Sequence, residues 1–197
     1  MKRFLSIIFT FFIITNLYTQ KKSKKLSIDS LIQKKTKSVG IITSYLDNND
    51  ELYLELSDSI FKKEILVVTR FVQLPSNYSG YINAGSKTSE QVVMFEKKGE
   101  KIYLRQKSFS NIANKIDPIN ISVTKNNLTP ILASFKILNK EKNRYLIDVS
   151  SFFLKDSPGF NIIRKTERDK YKIGRADKNR SSIDSANSYP QNLEIKH

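Results

Sequence analysis

The sequence predicts an α+β fold, mainly antiparallel β (a curled sheet or open barrel), with a few short helices. Three observations carry this. Short runs rich in β-branched and aromatic residues recur along the chain, separated by dense turn signals. Three pairs of them, 39–45 with 52–56, 90–96 with 101–107 and 129–138 with 144–149, are close enough to be hairpins. Helix signals are few and short: one after Ser27, one after Asp117-Pro118, and the SSFFL turn at 150–154.

Residues 27–32 (SIDSLI) start a short helix. Ser27 or Asp29 caps it, Leu31 and Ile32 give it a small apolar face, and Lys34, Lys35 and Lys37 suit the negative end of its dipole. Residues 39–45 (VGIITSY) read as a strand, 47–50 (DNND) as a turn and 52–56 (LYLEL) as a strand with Leu52, Leu54 and Leu56 on one face. Residues 57–61 form a single capped turn. The most apolar stretch after the N-terminal run, 64–74, is predicted to be a central strand ended by Pro75.

The loop 75–88 is long enough to carry a function. Gly99 supplies the permissive backbone of the turn between 90–96 and 101–107. Pro118 suits a first helical position, but INISVTKNN has poor helix propensity, so that helix is short. SSFFL buries Phe152 and Phe153, and Pro158-Gly159 breaks the chain. Residues 161–180 read as an exposed charged excursion, and 181–197 as the start of a further β segment, truncated. The division is therefore 1–20 export signal, 21–38 basic leader with the short helix, 39–160 β-rich domain, 161–180 excursion and 181–197 β segment.

Composition excludes several chemistries. The 197 residues contain no cysteine, which rules out disulfides, a thiol nucleophile and Cys-based metal sites. The one histidine is His197, so no multi-His metal site exists in this chain. The net charge of +15 is uneven: Lys2-Arg3, 21–37 and 162–180 carry +13 of it, so the centre is nearly neutral. A nucleic-acid interface would place its cations on the folded face among aromatics, and no nucleic-acid partner is expected. The basic flanks are read as solvated, with at most weak contact with anionic envelope surfaces.

Met1-Lys2-Arg3 followed by an apolar run from Phe4 to Tyr18 has the layout of a secretory signal peptide. The run is about 15 residues, short of the roughly 20 that a spanning helix needs. Cleavage is expected near Thr19 or Gln20. The expected location is exported: periplasmic, outer-membrane-associated or secreted.

No residue stands out as catalytic, cofactor-binding or metal-ligating. Asp47, Asp50 and Glu51 lack the ordered spacing and Gly of a calcium loop and read as a solvated turn. Asp148 and Asp156 are eight apart, and nothing in the sequence brings them together for acid–base work. Residues 80–85 (GYINAG) lack the Gly-Lys-Ser/Thr ending of a phosphate loop. Arg70 and Arg105 lie in predicted strands, where pairing with a strand carboxylate or exposure is expected over anion binding.

Five blocks, VGIITSY with LYLELSDSIFKKEILVVTRF (39–45, 52–71), GYINAGSKTSEQVVMFEKKGEKIYLR (80–105), TPILASFKI (129–137), YLIDVSSFFLKDSP (145–158) and NRSSIDSANSYPQNLEIKH (179–197), occur in one order and spacing. In that pattern the chain resembles the N-terminal region of large exported bacterial zinc-dependent metalloproteases of the metzincin-like type. Two accessory domains of unknown function precede the protease domain in that family. Lys62 departs from the pattern where Gly is common, and Met94-Phe95 where Arg-Trp is usual.

The family's zinc motif, two His and a Glu on one helix and then a third His, has no counterpart among these 197 residues, so no ligand or catalytic residue carries over. The resemblance implies a non-catalytic accessory region of such a protease. Its partner would be a downstream protease domain, in cis or from an adjacent frame, and zinc is expected only there. A piece of this kind should have unpaired strand edges. The alternative is a free-standing exported β-rich binding protein of the cell envelope, using its sheet and the 75–88 loop.

Overall fold

The computed structural model describes residues 27–74, 76, 82–157, 159–160, 163 and 165–197. The expected export signal, residues 21–26 of the basic leader, Pro75, Gly80 and Pro158 lie outside the described residues. Eight strands make one antiparallel sheet: β1 (Thr36–Ser38), β2 (Thr43–Leu46), β3 (Leu52–Ser57), β4 (Ile65–Arg70), β5 (Lys87–Lys98), β6 (Lys101–Lys107), β7 (Ile131–Glu141) and β8 (Arg144–Asp148). Their order is β1-β2-β3-β8-β7-β6-β5-β4, so the sheet is not closed. A hairpin of β9 (Ser185–Ser188) and β10 (Leu193–Lys196) is separate. The helices are short: α1 (Ile28–Ile32), α2 (Ile119–Asn126), α3 (Ser150–Phe153) and α4 (Lys165–Tyr171).

Turn chemistry sets the hairpins. Gly99, at φ 60°, takes the left-handed position between β5 and β6. Lys142, at φ 51°, does the same between β7 and β8. Asp47 Oδ1 accepts from the Asn49 and Glu51 N–H groups and closes the β2–β3 turn.

The sheet curls. A flat sheet would separate β3 from β4 by five strand spacings, about 24 Å. The seven-residue link between them has barely that reach, and part of it is spent in a 3-10 turn at Asp58–Ile60. Nevertheless Asp58 N–H bonds Asn143 O at 3.2 Å, and Phe61 bridges to Phe95 on β5. Strand β7 carries the bend: its first half pairs with β6, its second with β8, with register shifts at Leu104/Arg105 and Ile137/Asn139.

Alternation puts Leu52, Leu54 and Leu56 inside the curl with Ile102, Leu104 and Ile147. Phe152 of α3 joins them, edge-on to Phe135 at 5.8 Å and to Phe160 at 4.8 Å. The other face of the β2–β3–β8 half has its own small core. There α1 inserts Ile28, fully buried, beside Tyr45 and Leu146. Ser27 caps α1 by accepting from Ser30 N–H, and Glu141 takes the Ile28 N–H at 2.7 Å.

Two predicted strands differ from the observed ones. Residues 39–45 are not one strand: the chain leaves the ladder between β1 and β2. Gly40 there lies against the Tyr189 main chain, which a Cβ would overlap. Ile41 N–H bonds Tyr189 O at 2.8 Å, and Ser44 Oγ donates to Ala186 O at 2.7 Å, which ties the β9–β10 hairpin to β2. The run 64–74 is not central. It forms β4, an edge strand, with Leu66 and Val68 exposed. A run apolar on both faces reads as doubly buried, yet only its inward set is covered. The excursion 161–180 contains α4, and Arg168 fastens it to Asp156.

Candidate functional site

An open cleft of about 430 Å3 lies between β7 and the segment that follows β8. Phe135, Lys136, Asp148, Ser151, Lys155 and Asp156 are among its walls. The fold thus brings Asp148 and Asp156 to one cleft, because the α3 turn folds the second back toward β7. Both carboxylates have structural partners. Asp148 Oδ1 accepts from Ser150 N–H at 2.9 Å and Ser150 Oγ at 2.5 Å, which starts α3. Asp156 takes a bidentate pair from Arg168, at 2.6 and 2.7 Å, and the Ala176 N–H at 3.0 Å.

The Arg168 guanidinium holds the Asp156 carboxyl below its usual range, against the opposing effect of burial. A general acid needs the reverse shift. The cleft is an open concavity with two anchored carboxylates and two lysines, Lys136 and Lys155, on its wall.

The acidic turn is also engaged by the protein. Asp47 Oδ2 receives Lys35 Nζ at 2.8 Å, and Glu51 Oε2 receives it at 2.7 Å. The Lys35 side chain is only 4% exposed, and its ammonium lies 4.2 Å from the Tyr53 ring centroid. Asp50 Oδ1 accepts from Ile183 N–H at 2.6 Å. Lys35 is therefore a buried tie between α1 and the β2–β3 turn. Among the described residues, no group of three or more His, Asp or Glu side chains could hold a metal ion.

Arg105 pairs with Glu96 on the neighbouring strand and donates to Thr129 O at 2.8 Å. Arg70 donates to Gly85 O at 2.9 Å. Behind α1, Glu55 Oε2 accepts from Tyr45 Oη at 2.9 Å and from Arg144 at 2.6 Å. Burial and the Glu55 carboxylate push the Tyr45 phenol up to about 12.

The surface feature that sequence patterning missed is the segment 108–130 between β6 and β7. Phe109, Ile112, Ile116, Ile119, Ile121 and Leu128 are all exposed there, Ile116 at 85% and Leu128 at 82%. Helix α2, inside this segment, buries none of its residues. Ile112 and Ile116 precede α2, so their spacing to Ile119 marks no helix, and the density of apolar residues over 109–128 was the available signal.

Residues 25–74 match a family described as a domain of unknown function, DUF5118, and residues 85–197 match a second, DUF5117. No curated protein and no solved structure matches the chain. The two matched segments do not divide the sheet into two parts. Strands β1–β3 of the first lie at one end and β4 at the other, with β8, β7, β6 and β5 of the second between them.

Proposed function

We propose that this chain, which belongs to the DUF5117 family of domains of unknown function, is the non-catalytic N-terminal accessory region of an exported zinc-dependent metalloprotease. In this role it packs against, or positions, a protease domain carried downstream in cis or by an adjacent frame. The observation behind the proposal is the 108–130 segment. Six of its large apolar side chains within 20 residues, Phe109 to Leu128, are exposed among the described residues, a local density that a protein partner would cover. An eight-residue helix rich in β-branched residues is marginal in water and gains order from docking. The five sequence blocks supply the partner's class. Zinc and peptide hydrolysis belong to the partner, and this chain contributes position and surface.

The open cleft beside α3 favours a second role, a free-standing exported binding protein of the envelope. Reading the coding frame beyond codon 197, and the adjacent frames, separates the two. A frame encoding an H-E-x-x-H helix is the expected result. A locus with nothing protease-like would overturn the proposal in favour of the binding role. The purified chain alone should not hydrolyse peptides; zinc-dependent hydrolysis that persists through repurification contradicts the accessory role.

A further inference from the structure

We propose that β4 is the seam of a homodimer: two copies pair their β4 strands antiparallel across a two-fold axis at Val67, joining two eight-stranded sheets. This inference is independent of the protease partner. Strand β4 ends the sheet, with β5 on one side and no strand on the other among the described residues. The opposite edge, β1, is only three residues long, contains Lys37, and lies against Ser188 through Ser38. Edges are commonly blunted in these ways. Strand β4 has six residues, none of them Pro or Lys, and exposes Leu66 at 63% and Val68 at 41%.

The backbone is presented for pairing. Phe95 O accepts from Lys62 N–H, so Phe95 directs its carbonyl toward the β4 side. Alternation carries Val93 and Gln91 the same way, opposite Ile65 and Val67. From the other end of the strand, Phe71 exchanges bonds with Ser86 and Gly85 on the β5 side, which gives the same parity. Leu66 and Val68 therefore direct their N–H and C=O groups to the open edge.

A second copy fits this edge because the strand is self-complementary. With Val67 opposite its own symmetry mate, Leu66 faces Val68 of the other copy, Ile65 faces Thr69, and Glu64 faces Arg70. Leu66 and Val68 then form the hydrogen-bonded pairs, and their exposed side chains share the outer face. Glu64, which also pairs with Lys107, and Arg70, which also donates to Gly85 O, lie on that same face, so each end of the seam sets a carboxylate against a guanidinium. An isologous contact requires this match of the strand with its own reverse.

The test is sedimentation of the full chain over a wide concentration range, with hydrogen exchange at the Leu66 and Val68 amides. The expected result is a reversible dimer in which those amides lose protection on dilution. Leu66→Lys with Val68→Lys should give a monomer with an unchanged circular dichroism spectrum. Glu64→Arg alone and Arg70→Glu alone should each weaken the dimer several-fold, and the two together should restore it. The swap keeps the test decisive if the double lysine variant fails to fold. Val67→Cys, the only thiol in the chain, should crosslink to itself under mild oxidation, because facing residues in a non-hydrogen-bonded pair are about 4.5 Å apart at Cα. A folded monomer at every concentration overturns the proposal, including one whose β4 amides are protected by another part of the chain. So does a dimer indifferent to the lysine pair, or a charge swap weaker than either single change.

Discussion

Replacing Lys35 with methionine tests the reading of the acidic turn. The change keeps an aliphatic stem beside Tyr53 and removes the ammonium. Asp47, with 14% of its side chain exposed, would keep its two backbone donors and lose its cation. Glu51 is half-exposed and can turn to water. A charge-assisted hydrogen bond to a mostly buried carboxylate contributes about 1.5–3 kcal/mol, and the exposed partner adds well under about 1 kcal/mol. The expected loss is therefore about 2–3 kcal/mol, read as a lower urea midpoint by far-ultraviolet circular dichroism.

The pH dependence gives a second readout. Burial pushes the Asp47 carboxyl up, but Lys35 and the two backbone N–H groups outweigh it and hold it below its ordinary value. A carboxyl lowered in the folded state stabilises fully above the unfolded value of about 4, and loses that contribution as pH falls through the folded value. Removing Lys35 should flatten this acid limb. A loss below about 0.5 kcal/mol with an unchanged acid limb would refute the buried tie, since changes at exposed sites stay within that range.

Three further outcomes are expected. Gly40→Ala should cost about 1–3 kcal/mol, because the new methyl overlaps the Tyr189 main chain; proteolysis would show the β9–β10 hairpin opening first. One of the nine tyrosines should ionise last in a spectrophotometric titration, with stability complete below about pH 10 and falling as pH rises toward 12, and Glu55→Gln should lower that tyrosine's value. Residues 85–197 expressed alone should lack a cooperative thermal transition. They leave out Ile42, Leu52, Leu54, Leu56 and Ile60 from the core and open the edges of β5 and β8.

Much of the fold was legible because short-range chemistry wrote it. Gly99 between two alternating runs, and the DNND turn between 39–45 and 52–56, specify hairpins without any distant contact. The failures involve partners far along the chain. Gly40 looks like an ordinary strand glycine until Tyr189, nearly 150 residues later, lies against it. ILVVTR carries no mark that tells a central strand from an edge, since covering one more face depends on topology.

The site follows the same division. The spacing of Asp148 and Asp156 could not reveal that α3 folds them to one cleft, nor that Ser150 and Arg168 occupy them. Lys35 read as one cation in a solvated cluster, but α1 and the β2–β3 turn bury it between two carboxylates. The pairing of Arg105 with a neighbouring strand's Glu96 followed its expected pattern, because cross-strand neighbours can be paired from a hairpin register alone.

The measurement that bears most directly on the proposed role is hydrogen exchange of the full chain with and without the zinc-protease domain that the proposal expects from the downstream or adjacent frame. The account predicts that amides of α2 and the surrounding 108–130 segment become protected on mixing while those of β5–β8 stay as they were. It also predicts that Ile116→Ser with Leu128→Ser abolishes that protection. No change in α2 on mixing, or protection that survives the double substitution, would contradict it.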